Sequence, residues 1–214
     1  MYRIALPKGA LMEGSKKLLQ GLGLDYDDQQ KRKLIMPTFN GQAEVLIVRP
    51  TDVAVYVENG AADLGFVGSD VIEEHSPKVL TLAALPYGRC DLVLATPTIS
   101  LIKDLASVPD YCKVATKFPN LTRRFFRQHG IPVEIIKLYG SIEIAPLLKL
   151  SEAIVDLVGT GRTLRENGLH SIHHISTHTS RLIANRVSWQ LNHSWIKKLI
   201  DGIDEQTRGE ESKT

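Results

Sequence analysis

The sequence is poor in cysteine, in net charge and in long apolar runs, and each shortage removes a class of protein. Its two cysteines, Cys90 and Cys112, in 214 residues sit in apolar surroundings with neither CxxC nor Cys/His metal spacing. They read as buried free thiols rather than a disulfide framework or a zinc site, which suits a reducing compartment. Lys and Arg total 26 against 24 Asp and Glu, a net charge of +2, too balanced for a nucleic-acid footprint by charge alone. Any basic site is local. No stretch approaches membrane-spanning length, and the N-terminal MYRIALPKG breaks at Pro7 without the charged-then-apolar pattern of an export signal. The expectation is a cytoplasmic chain with no membrane and no nucleic-acid partner.

What is present is ordinary globular composition, 43% hydrophobic and 23% charged, with length for one large domain or two small ones. Short runs rich in Ile, Val and Leu recur at 3–6, 44–48, 64–67, 91–95, 112–115, 133–136 and 153–158, and helix-length segments separate most of them. Most runs are apolar on both faces, so they predict an α/β protein of mostly parallel sheets flanked by helices. The segment from Leu92 to Pro97 leaves one such unit, and Thr177 to Val187 returns to it. Two lobes joined by two crossings follow, residues 1–92 with 179–214 and residues 93–178, with a ligand cleft between them.

Local chemistry places several helix ends. Thr51 is a candidate cap for a helix that stops at Asn59-Gly60, and Pro119 suits the first turn of one that stops at Gly130. A third begins near Thr160 and ends at Asn167-Gly168. In the segment from Asn120 to His129, Leu121, Phe125 and Gln128 share a face, while Arg123, Arg124 and Arg127 spread over a solvated remainder. A last helix runs from about Gln190 to Ile203, and the polar tail beyond is expected to fray. Of its apolar positions, Trp189, Leu191, Trp195, Ile196, Leu199 and Ile200, at least half belong to the core.

The most informative stretch is DLVGTGRTL, residues 156–164. A glycine-rich turn between strand and helix exposes successive backbone N–H groups, and the helix start favours an anion. Gly159 and Gly161 let the backbone come close, and Thr160 and Thr163 add hydroxyl donors. Asp156 would repel a phosphate laid on it but accepts hydrogen bonds from sugar hydroxyls nearby. Acid and loop together suggest a ribose 5-phosphate. The plainer reading is a tight turn with Thr160 as helix cap. Neither a Walker loop nor GxGxxG is present.

AIVDLVGTGRTLRENGL resembles the phosphoribosyl pyrophosphate (PRPP) loop of the ATP phosphoribosyltransferase family. LPKG at 6–9, VRPTDVAVYVENGAADLGFVGSDVIEE at 48–74, ATKFPNLTRRFF at 115–126 and GSIEIAPLL at 140–148 resemble it in the same order. The resemblance implies a two-lobed fold of the periplasmic-binding-protein type II kind. It implies transfer of the 5-phosphoribosyl group of PRPP to N1 of ATP, the first step of histidine biosynthesis. By resemblance, Gly159, Thr160, Gly161, Arg162 and Thr163 hold the 5-phosphate, with Asp156 and Glu143 near the ribose hydroxyls. Lys8 and Arg49, each just past a strand, are assigned to pyrophosphate or ATP phosphates. Asp70 lines the nucleotide site.

Each of these has a duller counterpart: exposed charges for Lys8 and Arg49, a helix cap for Asp70, a first-turn acid for Glu143. The chain also departs from the family, with Gly159 where many members carry serine and Ala10 where an arginine is usual. Length resembles the family's short form, which works with a regulatory subunit resembling histidyl-tRNA synthetase, so a hetero-oligomer is expected. Mg2+ is expected to arrive on the substrate phosphates, since it takes oxygen ligands and keeps its waters. The histidines at 170, 173, 174 and 178 fall in strand and turn, not on one helical face, and no protein metal site is assigned to them. The rival readings are a two-lobed small-ligand binding protein and a phosphoribosyltransferase acting on a nucleobase.

Overall fold

The computed structural model describes residues 1–27 and 33–211. In chain order the strands are β1 (Tyr2–Pro7), β2 (Ile35–Pro37), β3 (Ala43–Val48), β4 (Leu64–Gly68), β5 (Leu80–Ala84), β6 (Cys90–Pro97), β7 (Cys112–Thr116), β8 (Val133–Lys137), β9 (Ala153–Val158), β10 (Leu169–His178) and β11 (Ser180–Ala184). The helices are α1 (Met12–Gly21), α2 (Pro50–Glu58), α3 (Ser69–His75), α4 (Pro119–Gln128), α5 (Arg162–Glu166), α6 (Arg186–Leu191) and α7 (His193–Glu211), with short 3-10 turns at Leu105–Ser107 and Ile142–Ile144. The chain divides into two units, Met1–Gly88 with Thr179–Thr214, and Arg89–His178.

Unit 1 carries a sheet of order β2-β3-β1-β4-β11-β5, and unit 2 one of order β10-β6-β9-β7-β8. All seven expected runs are strands. Their central pairings, β1 with β3 and β4, and β7 with β8 and β9, are parallel. Antiparallel strands complete each sheet: β6 and β10 in unit 2, β11, β5 and β2 in unit 1. β5 is half-buried, β2 has three residues, and buried β11 begins with Ser180 and Arg181, so their weak apolar signal leaves them outside the expected set.

Alternation explains why the central strands are apolar throughout. On β1, Ile4 and Leu6 point to one side, where Leu18, Leu19, Phe66, Ile196 and Leu199 pack, while Ala5 points to the other, against Val53, Val57 and Val67. Both faces are covered by helices, so both must be apolar. Unit 2 repeats the plan, with Leu92, Val114, Phe126 and Val155 on one face and Val93, Ala115, Ile142 and Ile154 on the other. Each side chain as fully buried as Phe66 or Phe126 contributes about 1.5–3 kcal/mol.

Several local expectations are corrected. Thr51 caps nothing: α2 begins at Pro50 after Arg49, and the Thr51 hydroxyl turns to Asp52, because proline at the first helical position already fixes φ and has no N–H to satisfy. Gln128 is exposed, and Thr122 and Phe126 complete the buried face of α4. The helix expected from Thr160 is only Arg162–Glu166, entered through Gly161 in the left-handed conformation, so Thr160 is not its cap. Cys90 is half-buried, whereas Cys112 is buried and its thiol is pushed up to about 12 by loss of water.

The last expected helix is two. Asn185 caps α6 by accepting from Val187 and Ser188, the chain bends at Asn192, and α7 runs to Glu211. Residues after Ile203 therefore continue a helix, which packs its Gly202 against Leu22 and its Gln206 against Gly21; residues 212–214 lie outside the described residues. Ile196 and Leu199 are buried, Trp189, Trp195 and Ile200 pack against the core, and Leu191 is exposed.

Candidate active site

β9, β7 and β8 lie side by side and parallel, so the segments that leave their C-terminal ends are neighbours. Lys117 follows β7, Ser141 and Glu143 follow β8, and Gly159, Thr160 and Gly161 follow β9. Ligands of parallel sheets gather at this edge. Here the three segments surround a cavity of about 300 Å3 lined by Lys117, Ser141, Glu143 and residues 156–164.

Side-chain alternation decides what faces it. On β9, Ile154 and Val158 point to the face packed by Ile142, Ala145 and Leu164, and Asp156, between them, points the same way. Burial pushes the Asp156 carboxyl above its ordinary range, and Glu143 adds to that; the Leu157 amide, donating at 2.9 Å, and the charge of Lys117 pull it back. On β7, Ala115 points to the same face, and Lys117, two residues on, follows it. Thr116 pairs with Val155, and Lys117 and Asp156 are the next residues on the two strands. Ser141 takes a left-handed φ of 49 and turns the chain leaving β8 into the 3-10 turn, whose buried Ile142 anchors Glu143 at the cavity.

The loop after β9 presents donors. None of the backbone amides from Gly159 to Thr163 donates to a protein acceptor among the described residues, and no side-chain bond engages the hydroxyls of Thr160 and Thr163. A run of N–H groups without protein acceptors in a tight turn is a cradle for an anion. With α5 so short, the loop amides and hydroxyls supply the attraction rather than a helix dipole. Gly161 has φ 72, and a Cβ there would stand 2.9 Å from Arg165 Nη1. Arg165 donates to the Thr160 carbonyl at 3.1 Å, so the protein takes up the loop's carbonyl and leaves its amides for a ligand. Arg162 pairs with Glu166 at 2.7 Å, both side chains mostly exposed. Such a pair is worth about 0.3–0.5 kcal/mol and yields readily to a stronger anion.

In unit 1 the same edge is made by β1, β3 and β4. The Lys8 amide donates to the Val48 carbonyl at 2.8 Å, so β1 and β3 release Lys8 and Arg49 side by side, both exposed. Asp70 follows β4 as the second residue of α3; Gly68, not Asp70, holds the cap position. It is 8% exposed, and its carboxylate fills the space a Cβ on Gly68 would need.

The structure thus brings Asp156, Glu143, Gly159, Thr160, Gly161, Arg162 and Thr163 to one cavity and holds Lys8, Arg49 and Asp70 on the strand ends of the other unit. Sequence reasoning missed Lys117, Ser141 and Arg165. Lys117 was open to discovery, because alternation along KVATK puts it on the face of Ala115; Ser141 and Arg165 act through backbone geometry that residue types do not reveal. The histidines are strung along β10: His173 packs on Phe125 at 5.3 Å between ring centroids, His174 lies 3.3 Å from Asp91, and buried His178 meets Ser176 at 2.8 Å. Among the described residues, no three His, Cys, Asp or Glu side chains gather as metal ligands.

The comparisons with known proteins agree with one another. The family model for ATP phosphoribosyltransferase matches residues 49–205. An ATP phosphoribosyltransferase of Microcystis aeruginosa is 47% identical over 206 residues, spanning 93% of this chain and 95% of that protein. Among solved structures, the ATP phosphoribosyl transferase (HisG:HisZ) complex from Thermotoga maritima matches with a TM-score of 0.79 at 32% identity, over 96% of this chain and 100% of that one. The periplasmic aliphatic sulphonate binding protein SsuA of Escherichia coli matches with a TM-score of 0.64, over 99% of this chain and 75% of that one; at 18% identity it speaks for the fold alone. By sequence and by fold, the chain belongs to the ATP phosphoribosyltransferase family.

Proposed function

We propose that this chain is the catalytic subunit that transfers the 5-phosphoribosyl group of PRPP to N1 of ATP, giving phosphoribosyl-ATP and pyrophosphate in the first step of histidine biosynthesis. The observation that carries the reading is the run of unsatisfied amides from Gly159 to Thr163 beside two carboxylates in one cavity. Amides and threonine hydroxyls suit a terminal phosphate, and Asp156 and Glu143 suit the ribose hydroxyls. Family membership favours this over a small-ligand binder or a nucleobase transferase.

In the reaction the N1 lone pair forms the new bond to C1 of the ribose as the C1–O bond to pyrophosphate breaks, with inversion. Positive charge grows on the sugar and negative charge on the leaving group. Carboxylates facing the ring and cations facing the diphosphate stabilise that separation, and holding both substrates in line supplies the rest. We assign the first task to Asp156, with Glu143 beside it, and the second to Lys8 and Arg49. Asp70 is assigned to the nucleotide, so unit 1 is the nucleotide side and unit 2 the PRPP side. Mg2+ would come bound to the substrate phosphates and neutralise the departing charge.

The Thermotoga maritima relative was solved in a HisG:HisZ complex. We infer that this chain likewise assembles with a regulatory subunit resembling histidyl-tRNA synthetase and works in the cytoplasm; no helix among the described residues is long and apolar enough to cross a membrane. Incubation with ATP, PRPP and Mg2+ should yield a phosphoribosylated adenine nucleotide and one pyrophosphate per turnover. Absence of that product, with the chain alone and with its regulatory subunit, would sink the assignment.

A further inference from the structure

Lys117 is the one charged residue of the cavity that neither the loop motif nor the sugar-hydroxyl chemistry accounts for. It lines the cavity with Asp156, Glu143 and the 159–163 loop. It stands at the first position beyond β7, beside Asp156, since Thr116 pairs with Val155 one step earlier. Its side chain is exposed, and among the described residues it makes no hydrogen bond and no ion pair of its own. Its three N–H donors therefore have no protein acceptor among the described residues and can reach a ligand in the cavity.

We propose that Lys117 is a substrate-binding residue of this cavity, donating to an anionic oxygen of the phosphoribosyl donor beside Asp156. This rests on the proposed function, and the two stand or fall separately in the test below. The task follows from placement. The loop after β9 takes the terminal phosphate on one side of Asp156, and Lys117 flanks Asp156 from the neighbouring strand. A sugar whose hydroxyls meet Asp156 therefore brings its anionic substituents within reach of both.

The test is direct binding of PRPP and of ribose 5-phosphate to the purified chain by titration calorimetry. It compares wild type with Lys117→Met, Lys117→Arg and the double variant Thr160→Ala/Thr163→Ala, each checked for an unchanged circular dichroism spectrum. Lys117→Met should weaken PRPP binding by on the order of tenfold, the loss expected for a charge-assisted hydrogen bond. Lys117→Arg should restore most of it, a rescue that a merely structural lysine would not give. Lys117→Met binding within twofold of wild type overturns the proposal, and if Thr160→Ala/Thr163→Ala still weakens binding, the phosphate loop survives. If the threonine variant also binds like wild type, the phosphoribosyl cavity itself is lost, and the role of Lys117 with it.

Discussion

The two units present the same edge, the C-terminal ends of three adjacent parallel strands, and fill it differently. In unit 1, β4 passes straight into α3 at Gly68 and Ser69 and β3 reaches α2 through Arg49 alone, while β1 reaches α1 over Lys8, Gly9, Ala10 and Leu11. What emerges there is side chains: Lys8 and Arg49 in solvent, Asp70 turned in over Gly68. In unit 2, the chain leaving β9 delays its helix through Gly159, Thr160 and Gly161, and that delay exposes main-chain amides. At β3 and β4 the edge thus presents charged side chains, and at β9 it presents main-chain amides. The contrast teaches that a strand-end site is defined less by the strands than by how soon the next helix begins. An immediate helix uses up or points away its amides, and a glycine-rich delay leaves them for a ligand.

The sharpest way to break this comparison is Asp156→Asn. If the carboxylate faces developing positive charge, kcat/KM for PRPP should fall about a hundredfold or more, measured by pyrophosphate release; a drop below fivefold would return the acid to an ordinary strand end. Next comes the cradle: Thr160→Ala/Thr163→Ala should raise the KM for PRPP by about tenfold and leave that for ATP nearly unchanged. Equal effects on both substrates would erase the division between units. Smaller again is a paired glycine test. Gly161→Ala imposes about 1–2 kcal/mol of left-handed strain and crowds Arg165, and should raise the PRPP KM severalfold. Gly159→Ala, where a Cβ would meet nothing within 4 Å and φ is not positive, should stay within twofold.

The smallest effect is on stability, and its sign is informative. Burial raises the Asp156 pKa in the fold, so the neutral form favours folding, and stability is lost as pH rises from the ordinary carboxylate range through the raised value. At pH 7 Asp156→Asn should therefore melt higher than wild type, by about a few degrees, while losing activity. The gap should close as pH falls toward 4. A lower melting point at pH 7 would mean the carboxylate is better compensated than its surroundings indicate.

How much of this was legible beforehand differs by level. The seven strands were readable because each carries a short cluster of Ile, Val, Leu or Ala, and most are buried on both faces. β5 and β10 were not, since a half-buried or bulged strand mixes polar residues into its pattern; β10 carries two register shifts along its length, and buried β11 opens on Ser180 and Arg181. The glycine-threonine loop announced itself through residue types, but its mechanism did not. That Thr160 is no helix cap, that Arg165 holds its carbonyl, and that the amides beside it are unsatisfied depend on where α5 starts. Lys117 went unnoticed because a lysine after a strand is normally a solvated charge. It matters here because β7 pairs with β9, a partner thirty-odd residues away along the chain.

By itself, then, the sequence determined the α/β class, the central strands and the phosphate-type loop, all of which rest on neighbours within a few residues: side-chain alternation, glycine's freedom in φ, the absence of a competing motif. Only the tertiary structure decided which charges share a cavity, why Asp156 is deprived of water, and that the last helix runs well past Ile203. Those depend on parallel pairing and on packing between segments far apart in the chain, and an electrostatic interaction is set by distance and burial, which no local pattern encodes.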